Sequence, residues 1–187
     1  PEMDRLVTMG CWSQITRFGT TKNADWTYSW RGGTEQSVEI GNNNGLKISS
    51  KTTLVGPHNA SNATAAVLAT VNVGVEPTQA IQGLADFLNV KRRLELKGEI
   101  KGVCIYDDFA HHPTAILATI NGLRSIMGDG GKIIALLEIG SNTMKMGVHR
   151  QELATSLSKA DSVGVLIPKD CNWDVRDELS ELNEVAF

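Results

Sequence analysis

The chain has 187 residues, 41% of them apolar and 21% charged, with a formal charge of -3. That length holds one large or two small domains with ordinary cores. A mildly acidic chain with 5% aromatics has no basic face for nucleic acid, and no apolar run approaches the roughly 20 residues of a membrane span, so neither partner is expected.

Cys11, Cys104 and Cys171 are odd in number and widely spaced without a CxxC pair, which points to reduced thiols in a cytoplasmic protein rather than a disulfide framework or a zinc site. The chain opens at Pro1 rather than at a methionine, and it is expected to be an internal piece of a longer protein.

From Leu6 to Ser50 the pattern predicts β structure, in short apolar runs such as ValThrMet and SerValGluIle broken by glycines. GlyAsnAsnAsnGly at 41–45 reads as a hairpin loop, and Trp12, Trp26 and Trp30 as plugs for a sheet face. At Leu54 the character changes: a Gly56-Pro57 turn leads into an alanine-rich helix. Asn59 and Asn62 are three apart, hence neighbours near its start. Two side-chain amides there offer donor and acceptor together to a purine edge; the plainer reading is one cap and one solvated residue. A second helix is predicted over 77–88, with Ile81, Leu84, Ala85 and Leu88 on a core stripe.

Residues 90–103 carry the basic cluster Lys91, Arg92 and Arg93 and the glycines Gly98 and Gly102. This stretch reads as a solvated β ribbon or as a guanidinium presented to phosphates, and as the seam between two domains. It feeds the densest cluster of chemistry in the chain, ValCysIleTyrAspAspPheAlaHisHisProThrAlaIle at 103–116. Val103, Ile105 and Tyr106 predict a buried strand, and Pro113 the first turn of a helix. Asp107, Asp108, His111 and His112 then sit in a strand-to-helix loop, where α/β proteins place ligand sites. Carboxylates accept from ribose hydroxyls or hold a metal, and imidazoles donate to phosphate; alternatively an Asp caps the helix and the histidines are solvated.

The remainder predicts a buried strand over 132–138, a helix over about 150–159, a strand over 163–167 and a helix near 174–182. Ser141, Asn142 and Lys145 lie in the loop after the first of these strands. Such a loop could meet an anionic substrate, or it is an ordinary connection with its methionines packed beneath it.

GlyProHisAsnAlaSerAsn at 56–62, LysArgArgLeuGlu at 91–95 and TyrAspAspPheAlaHisHisProThr at 106–114 together resemble the Mur ligase family, the ATP-dependent enzymes that build the peptidoglycan peptide. GlyCysTrpSer at 10–13 and SerAsnThrMetLysMetGlyValHis at 141–149 look most like the branch that joins the recovered tripeptide L-Ala-γ-D-Glu-meso-diaminopimelate to UDP-N-acetylmuramate. The resemblance covers nearly the whole chain. It implies an α/β protein, with 1–97 the end of the central ATP-binding domain and 98–187 a Rossmann-like C-terminal domain. It implies ATP and Mg2+ as cofactors, and UDP-N-acetylmuramate and the tripeptide as partners. It places nucleotide contacts at His58, Asn59, Asn62, Arg93 and Asp108, with Asp107, His111 and His112 near phosphates or substrate, and Ser141, Asn142 and Lys145 on the peptide side.

Two departures matter. Branch members carry Pro-Arg before the serine where this chain has Ile139 and Gly140, and no GxxxxGK[ST] loop occurs in the 187 residues. The family's phosphate loop and metal-binding acids would lie upstream, so no complete catalytic set is expected here and the chain alone is expected to be inactive. The alternatives are the alanine-adding branch, which carries a Tyr- and Arg-rich loop at 141–145, and a non-catalytic nucleotide-binding or interaction module.

Overall fold

The computed structural model describes residues 2–33, 35–127 and 130–187. It is a mixed α/β structure with two separate clusters of buried side chains. The first belongs to a four-stranded sheet ordered β1-β2-β3-β4: β1 (Phe18–Gly19), β2 (Trp26–Arg31), β3 (Ser37–Asn42) and β4 (Lys47–Lys51). The predicted hairpin joins β3 to β4, with Asn42 Oδ1 accepting from the amides of Asn44 and Leu46. Alternation along β3 turns Val38 and Ile40 inward to complete burial, worth about 1.5 to 3 kcal/mol per side chain. Helix α2 (Pro57–Asn72) covers this sheet with Ala60, Ala63 and Val67.

Several expectations are corrected in this half. Leu6 does not begin a strand: Glu2–Thr8 forms helix α1, which unwinds through turn bonds at Met9 and Gly10. Trp26 and Trp30 pack on the core, but Trp12 is 99% exposed and plugs nothing. The second predicted helix, α3 (Pro77–Gln82), ends at Gly83; Ile81 and Leu84 are buried, whereas Ala85 and Leu88 face water.

A hairpin, β5 (Glu95–Ile100) and β6 (Val103–Asp107), follows. Its two-residue turn has Lys101 at φ 52 and Gly102 at φ 80, the left-handed pair that matches the twist of hairpin strands. Strand β6 is where predicted, but it is not buried, since Val103 and Ile105 stay largely exposed. Helix α4 (Pro113–Met127) starts at its proline as expected. The second cluster lies between α4, α6 (Arg150–Leu157) and a parallel sheet ordered β7-β8-β9: β7 (Ile134–Glu138), β8 (Ser162–Leu166) and β9 (Val185–Ala186). Only one face of β7 is covered, with Leu136 84% exposed, so the expectation of a buried strand over 132–138 is corrected. Two short helices complete this half, α5 (Asn142–Lys145) and α7 (Val175–Glu178), the latter far shorter than the predicted 174–182.

Candidate functional site

The start of α2 and the middle of α4 come together because two glycines permit it. Gly56 has φ 89, and a Cβ there would lie 3.0 Å from the His58 ring and 3.8 Å from Gly122 Cα. At Gly122 a Cβ would press Val55 Cγ1 at 3.2 Å. Only glycine takes the left-handed turn without strain and lets the two backbones approach. This contact sets Asn59 and Asn62, on α2, facing the β6–α4 loop.

Between them lies a cavity of about 610 Å³ lined by His58, Asn59, Asn62, Arg93, Asp108 and His112. Six of the sequence-predicted residues, drawn from three separate segments, therefore share one cleft. Its apolar wall was not foreseen: Leu84 and Phe87 from the turn after α3, with Ala66, Ala115 and Ala118 on the two helix faces. The alanines on α4 and α2 were a legible signal, because small residues at helical spacing leave room for a ligand as readily as for a packed neighbour.

Within the cleft the polar groups have distinct tasks. Asn59 Nδ2 donates to the Val55 carbonyl at 2.9 Å, and Asn62 Nδ2 reaches Asn59 Oδ1 at 3.5 Å. Asn59 is thus anchored to backbone, and Asn62 Oδ1 keeps its acceptor capacity among the described residues. Asp108 binds backbone on both sides, Oδ2 accepting from Leu94 N–H and Oδ1 from Ala110 N–H, each at 2.7 Å. Those bonds hold a segment in which Arg92 (φ 58) and Leu94 (φ 47) are left-handed without being glycine, a conformation that persists only where the surroundings enforce it. Arg93 lies between these two residues, and among the described residues no carboxylate pairs with its guanidinium. The same carboxylate that faces the cleft therefore also positions the cleft's cation. Each oxygen of Asp108 retains a lone pair for a ligand hydroxyl.

Desolvation in the cleft pulls the His58 imidazole below the usual histidine value; the Asp108 carboxylate opposes this shift and the Arg93 guanidinium adds to it. His112 Nδ1 accepts from Thr114 N–H at 3.2 Å, so neutral His112 carries its proton on Nε2.

Other predicted residues lie elsewhere. Asp107 pairs with Arg92 at 3.4 Å, and Arg92 in turn stacks over Phe109 at 4.9 Å. His111 Nδ1 lies 2.9 Å from the Phe109 carbonyl and its ring against the Phe109 ring. Neither Asp107 nor His111 lines the cavity. Ser141 caps α5, accepting from Met144 N–H at 3.3 Å, and Asn142 opens that helix at the surface. Lys145 binds Asp170 at 2.9 Å, which holds the Asp170 carboxyl below its usual range. That pair sits past the carboxyl ends of β7 and β8, the edge where parallel sheets take ligands. No group of three or more His, Cys, Asp or Glu side chains suited to a metal occurs among the described residues. None of the described helices is long and apolar enough to cross a membrane.

A mixed α/β protein whose strand-to-helix loop after β6 opens on a cleft shared with helices α2 and α4 is the class the fold and the cleft define. Residues 92–185 match the family model described as Mur ligase, glutamate ligase domain, and the chain belongs to the Mur ligase family. Among curated proteins it is 42% identical to the UDP-N-acetylmuramate--L-alanyl-gamma-D-glutamyl-meso-2,6-diaminoheptandioate ligase of Haemophilus influenzae, over 97% of this chain and 40% of that protein. The Escherichia coli protein of the same name is 43% identical over 95% of this chain and 39% of its own length. A UDP-N-acetylmuramate--L-alanine ligase from Acidothermus cellulolyticus is 40% identical over only 59% of this chain and 23% of its own. Among solved structures, a murein peptide ligase from Psychrobacter arcticus superposes with TM-score 0.64 at 32% identity, covering 95% of this chain and 38% of that one. The MurF ligase of Thermotoga maritima, solved in complex with ADP, shares the fold with TM-score 0.72 at 20% identity, over 99% of this chain and 41% of that one. The chain thus spans about 40% of the length of the first two curated relatives.

Proposed function

We propose that this chain is the adenine- and amine-side portion of an ATP-dependent, amide-forming ligase of cell-wall recycling in the bacterial cytoplasm, joining L-alanyl-γ-D-glutamyl-meso-diaminopimelate to UDP-N-acetylmuramate. The observation that carries the proposal is the single cleft lined by His58, Asn59, Asn62, Arg93 and Asp108. The tripeptide branch is favoured over the alanine-adding branch because relatives bearing the first name align along nearly the whole chain. The division into 1–97 and 98–187 belongs to the same reading; it falls at the irregularity between Leu96 and Gly98 in the β5–β6 hairpin.

In this reading Asn62, steadied by Asn59, meets the purine edge while the apolar wall from Phe87 and Leu84 covers its face. Asp108 accepts from ribose hydroxyls, and Arg93 offers its planar fork to the phosphates. The γ-phosphoryl passes to the UDP-N-acetylmuramate carboxylate, giving an acyl phosphate and ADP; the tripeptide amine then attacks the acyl carbon, phosphate leaves, and the amine loses a proton. Positioning and charge neutralisation govern such transfers. The described residues do not themselves fit a Mg2+ site, since Asp108 is engaged by two backbone amides and Asp107 by Arg92. The test is steady-state kinetics of the intact enzyme: ADP release should require both UDP-N-acetylmuramate and the tripeptide. Release driven as well by alanine would move the chain to the other branch.

A further inference from the structure

The β7–α6 connection is held more tightly than a loop needs to be. Trp173 Nε1 donates to the Met144 carbonyl at 2.7 Å, and the indole lies so close to Gly147 (φ 69) that a Cβ there would meet it at 2.9 Å. Asn172 N–H donates to the Lys145 carbonyl at 2.9 Å. The clamped segment ends at His149, the residue before α6, whose Nδ1 faces Glu152 Oε1 at 3.6 Å. The His149 ring is only 30% exposed and meets the His112 ring edge to face, with centroids 4.3 Å apart at 60°. His112 sits at the cleft, in the β6–α4 loop. On the other side of this contact His149 lines a small cavity with Pro113, Met144 and Trp173. His112 lines the cleft and His149 the small cavity, and the two rings meet between them.

We infer that His149 is a positioning residue for the cleft: anchored by the Trp173 clamp, it holds the His112 ring so that Nε2–H is kept available to an anionic group of the bound ligand. Among the described residues the His112 ring has one other hold, its Nδ1 contact to the first turn of α4, which restrains tilt but not rotation about that bond. The aromatic contact supplies the second restraint. Edge-to-face packing asks for a ring at 149, not for its titration, so phenylalanine replaces histidine there while aliphatic residues do not. The ligand side of the inference rests on the cleft being the nucleotide site; the ring contact does not.

The experiment uses the 187-residue chain with histidine ring resonances assigned by NMR, and ADP as the probe. His149→Leu, which fills the space without a ring, should displace the His112 Cε1–Hε1 resonance and weaken ADP binding by about 2- to 10-fold, the range expected for loss of one aromatic pair. His149→Phe should restore ADP affinity to within about twofold, with the His112 ring again sensing an aromatic neighbour. Glu152→Gln should leave both readouts unchanged. An unmoved His112 resonance in His149→Leu, or equal weakening by Leu and Phe, would overturn the inference. If the unaltered chain binds no ADP, the nucleotide reading fails, and the His112 resonance alone still decides whether His149 positions it.

Discussion

Replacing Asp108 tests how closely ligand binding and backbone geometry are tied. Its two oxygens accept from Leu94 N–H and Ala110 N–H at 2.7 Å, and a hydrogen bond to a charged group contributes about 1.5 to 3 kcal/mol. Asp108→Asn keeps one acceptor and turns an NH2 toward the other amide, so about 1.5 to 3 kcal/mol of stability should be lost. Asp108→Ala loses both bonds, and Arg92 and Leu94 are then free to leave their left-handed conformation, which carries Arg93 away from the cleft. The neighbouring Asp107→Asn is the control: it breaks only a partly exposed pair with Arg92, worth about 1 kcal/mol or less. Urea denaturation of the 187-residue chain and ADP titration of each variant provide the readouts. Stability and affinity should fall together for Asp108→Asn and hardly at all for Asp107→Asn. Equal effects from the two, or full stability in Asp108→Ala, would refute the assignment of Asp108 as the latch on Arg93.

His58 should titrate below the usual histidine value because the cleft desolvates it; Asp108→Asn should lower its midpoint further, and Arg93→Gln should raise it, by NMR titration. Its folded value lies under the unfolded one, so the unfolded state binds more protons in that window; stability is intact above about pH 6.5 and falls as the pH drops, less so in His58→Gln. In the intact enzyme Lys145→Ala should raise the tripeptide KM only about 2- to 10-fold, because a substrate carboxylate must first displace Asp170, while the ATP KM stays put. Asp170→Asn should lower the tripeptide KM by freeing Lys145; no change in either variant would make the pair a surface ion pair only. The 187-residue chain by itself should release no phosphate from ATP above background with Mg2+ and both substrates, and measurable turnover would contradict the absence of a phosphate-gripping loop.

Where local chemistry dictates local structure, the sequence was legible. Pro57 and Pro113 start helices α2 and α4, and GlyAsnAsnAsnGly turns the β3–β4 hairpin, each through backbone preferences that no distant residue overrides. Asn59, Asn62 and Asp108 were legible as a set only through the serial motifs, because what unites them is a tertiary approach at Gly56 and Gly122. Apolar runs misled where covering depends on neighbours: Leu136 and Val103 read as core and face water, and ValThrMet at 7–9 read as strand where a helix ends. Lys145 read as a loop residue that could meet an anionic substrate, and its pairing with Asp170, 25 positions away, left no local sign. The doubled engagement of Asp108 was equally invisible, for backbone amides leave no mark in a sequence.

The central claim, that the Asn59, Asn62, Arg93 and Asp108 cleft is the adenine-nucleotide site, is tested most directly by following the backbone and side-chain amide resonances of the chain during ADP titration. The account predicts that the side-chain amides of Asn59 and Asn62, the Arg93 Nε–H and the Leu94 and Ala110 amides held by Asp108 shift together with one saturating dissociation constant. Saturation that leaves these five groups unmoved, or shifts centred on the 141–149 loop, would contradict it.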